Sequence, residues 1–526
     1  MAARAQPLGA PALLGGGLAL ALVAALTLGS VAALALRADP GQGLGPAEWS
    51  AVRFTLTQAL ISATLSVALA IPAARALARR RFAGRVALVT LLGAPFLLPA
   101  IVAVLGLVAI WGRSGLLSDA LGLAGRGPID IYGLTGVVLA HAFFNLPLVT
   151  RLILQGWTTI PAEQFRLAAQ LGFAPRDTFR RIELPMLREI VPGAFVLVFL
   201  LCMTSFAVAL TLGGGPRATT IELAIYQAVR FDFDLSRAAL LALIQFALCA
   251  AVTALALRMS AEAVFGVSTG APVERWDADR PGLRSADAIV LLALALFIGL
   301  PLGAVGVNGA AAMLAGLPDA FWPAAVRSLG VALASAALVL ALGLSLAALI
   351  DGLRARGGGG FIEGFGLMTL AASPFVLGTG LFIVLNPLAN PFALALPVTA
   401  AVNAAMALPF VLRALLPALG ESRRVDGRLA DSLGMAGYAR FRLVTWPRLR
   451  RPTGFAAGLA AALSMGDLGV IALFAPPEVA TLPLLMQRLM AAYRMDAAAG
   501  VALALVLMTF ALFWIFDRWG RADAEV

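Results

Sequence analysis

The chain has 526 residues, of which 61% are hydrophobic and 13% charged, with a mean hydropathy of +0.93 and a formal net charge of +11. A soluble protein carries about twice that charged fraction, whereas apolar runs able to cross a ~30 Å hydrocarbon core recur here throughout, so an ordinary soluble domain is excluded. The basic residues are all arginines and sit in alternate loops, which argues against a nucleic-acid surface.

Without a lysine there is no P-loop to reach nucleotide phosphates, so any ATP hydrolysis belongs to another chain. Cys202 and Cys249 lie in apolar segments and give neither a disulfide nor a metal site, and His141 is the single histidine. No catalytic residue, metal site or cofactor is expected on this chain. The expected fold is an all-α polytopic membrane protein.

In chain order, the first apolar run is Pro11 to Leu36. It exceeds the ~7–15 residues of a signal-peptide core and reads as a retained span. Eleven further spans are expected at about 54–76, 87–111, 132–155, 190–212, 238–258, 286–306, 327–350, 365–386, 394–416, 453–475 and 497–517. With both termini in the cytoplasm, most arginines fall inside, among them Arg75, Arg79, Arg80, Arg81, Arg85, Arg354 and Arg356, as the positive-inside rule requires.

The charged stretch 259–285 reads as a cytoplasmic linker between two six-span halves, 1–258 and 286–526. Leu146-Pro147 with Arg151 matches Leu408-Pro409 with Arg413, Thr220-Ile221 matches Thr481-Leu482, and Ala94-Pro95-Phe96 matches Ser373-Pro374-Phe375. The same order in the same orientation makes a parallel repeat. Gly357 to Gly360 reads as a turn on the inner side.

One polar island occurs twice, within loops at about 156–189 and 417–452. Glu163 to Pro185 reads EQFRLAAQLGFAPRDTFRRIELP, and Gly427 to Pro447 reads GRLADSLGMAGYARFRLVTWP. Each predicts a short amphipathic helix, a glycine break and a return into the membrane, with Ala168, Ala169 and Gly172 small enough for a partner to approach closely. Arg176, Arg180, Arg181 and Arg188 are expected as exposed donors near the headgroups. An interfacial helix held by its arginines is the simpler reading of one copy; two copies with the same internal spacing point to docking.

The spacing from Gly172 to Ile182-Glu183-Leu184-Pro185 resembles the coupling-helix signature of permease subunits in binding-protein-dependent ABC importers. The resemblance implies that these helices sit in grooves of a cytoplasmic ATPase, two copies of which carry the ATP and magnesium, and that a periplasmic binding protein delivers the cargo. It places the coupling role on Arg166, Ala168, Ala169, Gly172, Ile182 and Pro185, and on Arg428, Ala430, Asp431, Gly434 and Pro447. Arg166 and Arg428 stand where the family pattern has an acidic residue, Leu167 and Leu429 follow where it has alanine, and the second copy ends Val444-Thr445-Trp446-Pro447.

Over nearly its whole length the chain is similar to the fused, double-length permeases of thiamine and thiamine pyrophosphate importers. Leu139–Pro147, Leu212–Ala228 and Ser464–Phe474 carry the likeness. It implies a multi-pass protein of the bacterial inner membrane, in contact with lipid and not with nucleic acid. Iron(III) permeases share the fused plan and remain an alternative cargo class. An ion-coupled secondary transporter is a further alternative, but it predicts buried acids in several spans.

Asp467 lies deep in an apolar run, where a carboxylate is costly and a cationic cargo would be attracted; a pairing with Arg413 or a water-exposed place at the helix end are the other readings. Ser464, Phe143, Phe144 and Asn145 join it as pathway candidates, the last three also being readable as packing. Pro95 and Pro99, with Pro374, Gly378 and Gly380, interrupt corresponding spans, as in transporter pathways. The loop with Gly213, Gly214, Gly215, Arg217 and Glu222 is a candidate outer gate or binding-protein contact, its helix capped by Thr219 or Thr220.

Overall fold

The computed structural model describes residues 10–39, 41, 43–259, 280–354, 358–369, 372–476 and 478–521, and every regular element among them is a helix. In hydrocarbon a spanning segment must satisfy its own backbone, which a helix does internally. Among the described residues, eleven helical segments are long and apolar enough to cross a membrane: Leu13–Arg37, Pro46–Arg79, Ala100–Leu123, Leu134–Thr159, Pro175–Met203, Leu235–Leu255, Pro281–Ala315, Phe321–Arg354, Pro391–Ser432, Gly437–Phe474 and Met495–Arg521. They correspond to the expected spans except the ninth. Most of the expected linker, residues 260–279, lies outside the described residues, as do Arg356 and Gly357.

The ninth span is divided into Gly360–Met368 and Pro374–Leu385. Proline disfavours a helical residue before it; Ser373 is accordingly extended and accepts the Val376 N–H on its Oγ at 3.3 Å. The third span is shifted for the same reason. Its expected start breaks into Arg85–Leu91 and Ala94–Leu97, with Pro95 in the first turn and Pro99 ahead of Ala100–Trp111. Two further interruptions carry no proline signal. The fifth span stops at Met203 and resumes at Phe206, and the eleventh stops at Met465 and resumes at Gly469.

Packing forms two compact units. One contains residues 44–223 with 251–311, so the second to fifth spans share a core with the seventh. The other contains residues 1–43, 224–250 and 312–526, so the first span packs with the eighth to twelfth. In both units the incoming span meets a glycine at the same depth from the start of a proline-marked helix. A Cβ on Gly106 would fall 2.6 Å from the carbonyl oxygen of Pro301 in the seventh span, and one on Gly380 would fall 2.5 Å from Ser30 Cβ in the first. Close backbone approach through small residues is how helices associate in lipid.

The seventh span is also pinned by charge. Asp287 is buried and accepts from Arg79 Nε at 3.0 Å, Arg79 Nη2 at 2.6 Å and Arg80 Nε at 2.6 Å. Removing one partner of a buried ion pair leaves an uncompensated charge, at a cost of about 3–5 kcal/mol. Asp287→Ala is therefore expected to lower the midpoint of thermal unfolding in detergent well beyond the effect of Asp119→Ala on the exposed helix Leu116–Leu123, measured side by side.

Candidate functional site

The first duplicated loop begins at Pro161, which forces Ile160 out of the helix (φ −72°, ψ 120°) and starts a new one, Ala162–Gln170. Gly172 then turns the chain at φ 67°, and Pro175–Thr178 leads through a π turn, Phe179–Glu183, into the fifth span at Leu184. Gly434 repeats the bend at φ 63°, Phe441–Thr445 repeats the π turn, and Trp446 starts the eleventh span. All these landmarks recur at one interval.

The second copy differs at its entry. Arg423 stands where the first copy has Pro161, and the tenth span continues as a single helix from Ala395 to Ser432. The expected separate loop helix at 417–432 is thus the end of the span itself, with Pro417 carried inside it.

Burial corrects which side chains the loops present. Ala168 and Ala430 are each only 2% exposed, while Arg166, Ala169, Gly172, Pro185, Arg428, Asp431, Gly434 and Pro447 are exposed and Ile182 is half-buried. The exposed apolar edge consists of Leu167 and Leu171 in one copy and Leu429 and Leu433 in the other, 55–66% exposed. Leucines four residues apart share a helix face. The sequence carried this signal in its departures from the family pattern, since Leu167 and Leu429 stand where that pattern has alanine.

A second constellation forms around Asp467, in the three-residue break between Trp446–Met465 and Gly469–Phe474. Its Oδ1 accepts the Gly469 N–H at 3.1 Å, while Oδ2 is buried with no hydrogen-bond partner. The pairing with Arg413 that the sequence allowed is not made. Asn403 lies beside the carboxylate and donates to Ser464 Oγ at 3.0 Å. A Cβ on Gly469 would come within 3.0 Å of the Phe375 ring and 3.6 Å of Asp467 Oδ1, so the glycine lets ring and carboxylate close together. The breaks in the ninth and eleventh spans thereby put Phe375, Asn403, Ser464 and Asp467 in one place.

The other pathway candidates are spent on packing. Phe143 is fully buried, edge-on to Phe144 and Phe297 at 5.6 and 6.1 Å, and Asn145 donates to Cys202 Sγ at 3.3 Å. His141 is buried with Nδ1 3.3 Å from Ser62 Oγ.

No family model matches the chain. Curated relatives do. The thiamine transport system permease protein ThiP of Brucella abortus (strain 2308) is 42% identical over 536 residues, covering 99% of this chain and 98% of its own. The ThiP protein of Escherichia coli (strain K12) is 39% identical over 532 residues, covering 98% of each. The chain belongs to the thiamine transport permease family. A shorter relative, the sulfate transport system permease protein CysW of Synechocystis, is 29% identical over 204 residues, 73% of its length but 39% of this chain.

This thiamine-permease relative also carries a paired latch that sequence reasoning missed. Thr55, in the second span, accepts the N–H of Ile221 on Oγ1 at 2.9 Å, and Ser328, in the eighth, accepts that of Leu482 at 2.8 Å. Each hydroxyl serves the first amide of a short helix, Ile221–Arg230 or Leu482–Ala491. Thr220 does cap its helix, taking the Leu223 N–H at 3.3 Å. The glycine loop before it turns at φ 74° (Gly214) and 133° (Gly215), and Gly213 is buried where a Cβ would fall 2.4 Å from the Ala209 carbonyl oxygen. Arg217 is exposed, but Glu222 is 1% exposed and faces the interior, which removes it from the candidate surface contacts.

Thr55→Val and Ser328→Ala each strand a buried amide, which costs about 1–3 kcal/mol. Both are expected to destabilise by comparable amounts, and hydrogen exchange should show the short helices opening more readily in the variants.

Proposed function

We propose that the chain is the membrane-spanning subunit of an ATP-driven importer that receives thiamine, or its phosphates, from a periplasmic binding protein and releases it to the cytoplasm. The observation that carries the reading is the duplicated apolar edge, Leu167 with Leu171 and Leu429 with Leu433. Two equal edges fit two copies of one cytoplasmic ATPase, which supplies the nucleotide and magnesium. The named cargo of the full-length relatives supports thiamine.

The loops lie on the cytoplasmic side in this reading, where exposed Arg176, Arg180, Arg181 and Arg188 obey the charge bias. Both termini share that side. Closure of the ATPases on ATP draws the two loops together and opens the far side; hydrolysis resets them. This chain does no covalent chemistry. Its part is to hold a cation in transit. Thiamine carries a fixed thiazolium charge, and the unpartnered Oδ2 of Asp467 offers a counter-charge in a medium where attraction is weakly screened.

The test is ATP hydrolysis and uptake in proteoliposomes holding this chain and the ATPase, with binding protein loaded with thiamine, thiamine pyrophosphate or iron(III). Thiamine-loaded protein is expected to stimulate, and Gly172→Arg with Gly434→Arg to abolish stimulation. Leu167→Ser with Leu429→Ser should weaken ATPase binding by tenfold or more, since each buried leucine is worth about 1.5–3 kcal/mol. Stimulation by iron alone would overturn the cargo, and uptake driven by an ion gradient without the ATPase would overturn the mechanism.

Asp467→Asn is expected to cut thiamine uptake about tenfold, the equivalent of 1.4 kcal/mol, while ATPase binding stays unchanged. Equal uptake by the variant would remove Asp467 from the pathway.

A further inference from the structure

The first loop is tied to the second span by an ion pair whose carboxylate is fully buried. Arg75 Nε donates to Glu183 Oε2 at 2.7 Å, Nη2 reaches the Pro175 carbonyl at 3.5 Å, and the guanidinium lies 4.9 Å from the Phe179 ring centroid. The Glu183 side chain is fully buried and that of Arg75 is 21% exposed. One side chain therefore grips both turns through which the loop returns to the membrane, Pro175–Thr178 and Phe179–Glu183.

The helix that carries Arg75 runs continuously from Pro46 to Arg79, with Pro72 carried inside it less than one turn before Arg75. Twenty residues nearer its start, roughly 30 Å along the axis, Thr55 holds the first amide of the short helix Ile221–Arg230. The second span is thus a rod fixed at one end to the loop and at the other to that helix.

The second copy keeps only part of this. Ser328 supplies the same latch at the start of Phe321–Arg354. Thr445 stands where Glu183 does and carries no charge. At the loop end the eighth span uses Asp351, whose carbonyl accepts from Arg423 Nη1 at 2.7 Å, with side chains 17% and 39% exposed. The loop itself is braced by Arg440–Asp431 at 2.6 Å and Arg448–Asp426 at 3.0 Å, all partly exposed. Exposed pairs yield easily, whereas separating a buried pair strands a charge.

We propose that Arg75 and Glu183 are positioning residues that make the first loop and the second span move as one body, while the second loop gives at its exposed pairs, so that the two ATPase contacts are mechanically unequal. This rests on the docking role proposed above. A displacement of the first loop is carried to Thr55 and the Ile221–Arg230 helix along one continuous helix. The same displacement of the second loop is partly absorbed before it reaches Ser328.

The experiment uses the full complex of permease, ATPase and thiamine-loaded binding protein in proteoliposomes. It reads three quantities: ATPase affinity, hydrolysis rate and thiamine moved per ATP. Glu183→Gln is expected to leave ATPase affinity within about twofold while thiamine per ATP falls about tenfold, a loss within the usual range of coupling between sites. Arg75→Lys keeps the charge, guards against loss of fold, and is expected to retain most of the coupling. Asp351→Asn in the second copy should cost less than about twofold.

Unchanged thiamine per ATP in Glu183→Gln would overturn the strut. So would a loss of affinity in step with transport, since the pair would then only shape the docking surface. An equal loss in Asp351→Asn would overturn the inequality. Failure of the unaltered chain to recruit the ATPase would remove the docking role and this proposal with it, and is distinguished because it appears before any substitution is made.

Discussion

Lack of water in the hydrocarbon layer is the constraint on which the rest of this structure depends. Each backbone amide that leaves a helix there needs a partner within the protein. Where proline interrupts the ninth span, Ser373 takes up the freed Val376 amide. Where the eleventh span breaks without proline, Asp467 takes up that of Gly469. At the short helices the service comes from another span, through Thr55 and Ser328. Polar side chains in this chain are placed first by backbone need, and the chemistry offered to a cargo is what remains after that need is met. Asp467 spends one oxygen on the backbone and keeps the other.

Much of this was legible in the sequence. Hydropathy marked the spans, because length and apolarity are what the bilayer selects, and the duplicated loops were visible through Gly172, Gly434, Pro185 and Pro447, whose backbone demands are local. The break in the ninth span was legible as well, in Pro374, although the helix lost before it shortens the apolar run expected over 365–386. Arg423 in the place of Pro161 was readable as the absence of a stop, yet loop and span were expected to part there.

What was not legible depends on contacts between distant segments. The burial of Ala168 and Ala430 beside the exposed Leu167 and Leu429 is a property of the folded chain that residue type alone does not give. Glu222 looked like a surface residue until the latch at Ile221 fixed the helix face it occupies. The roles of Asp287 and Glu183 had no local signal, because their partners lie 208 and 108 residues away. Thr55 and Ser328 did leave a trace, a hydroxyl followed by leucine at matching places, but its meaning needed the short helices to be placed.

The regrouping of the first and seventh spans bears on how the chain is made. The first span, Leu13–Arg37, finds its packing surface on Phe321–Arg354 and Pro374–Leu385, where its contacts Leu349 and Gly380 leave the ribosome more than three hundred residues later. At ~5–20 residues per second the delay is on the order of tens of seconds. Through that interval Gly16, on which a Cβ would fall 2.5 Å from Leu349, faces lipid in place of its final neighbour. The seventh span has no such wait, because its receiving surface on the second to fifth spans is already built when it is inserted. One unit can therefore mature early in synthesis, whereas the other closes around the first span only once its later-made segments are in place.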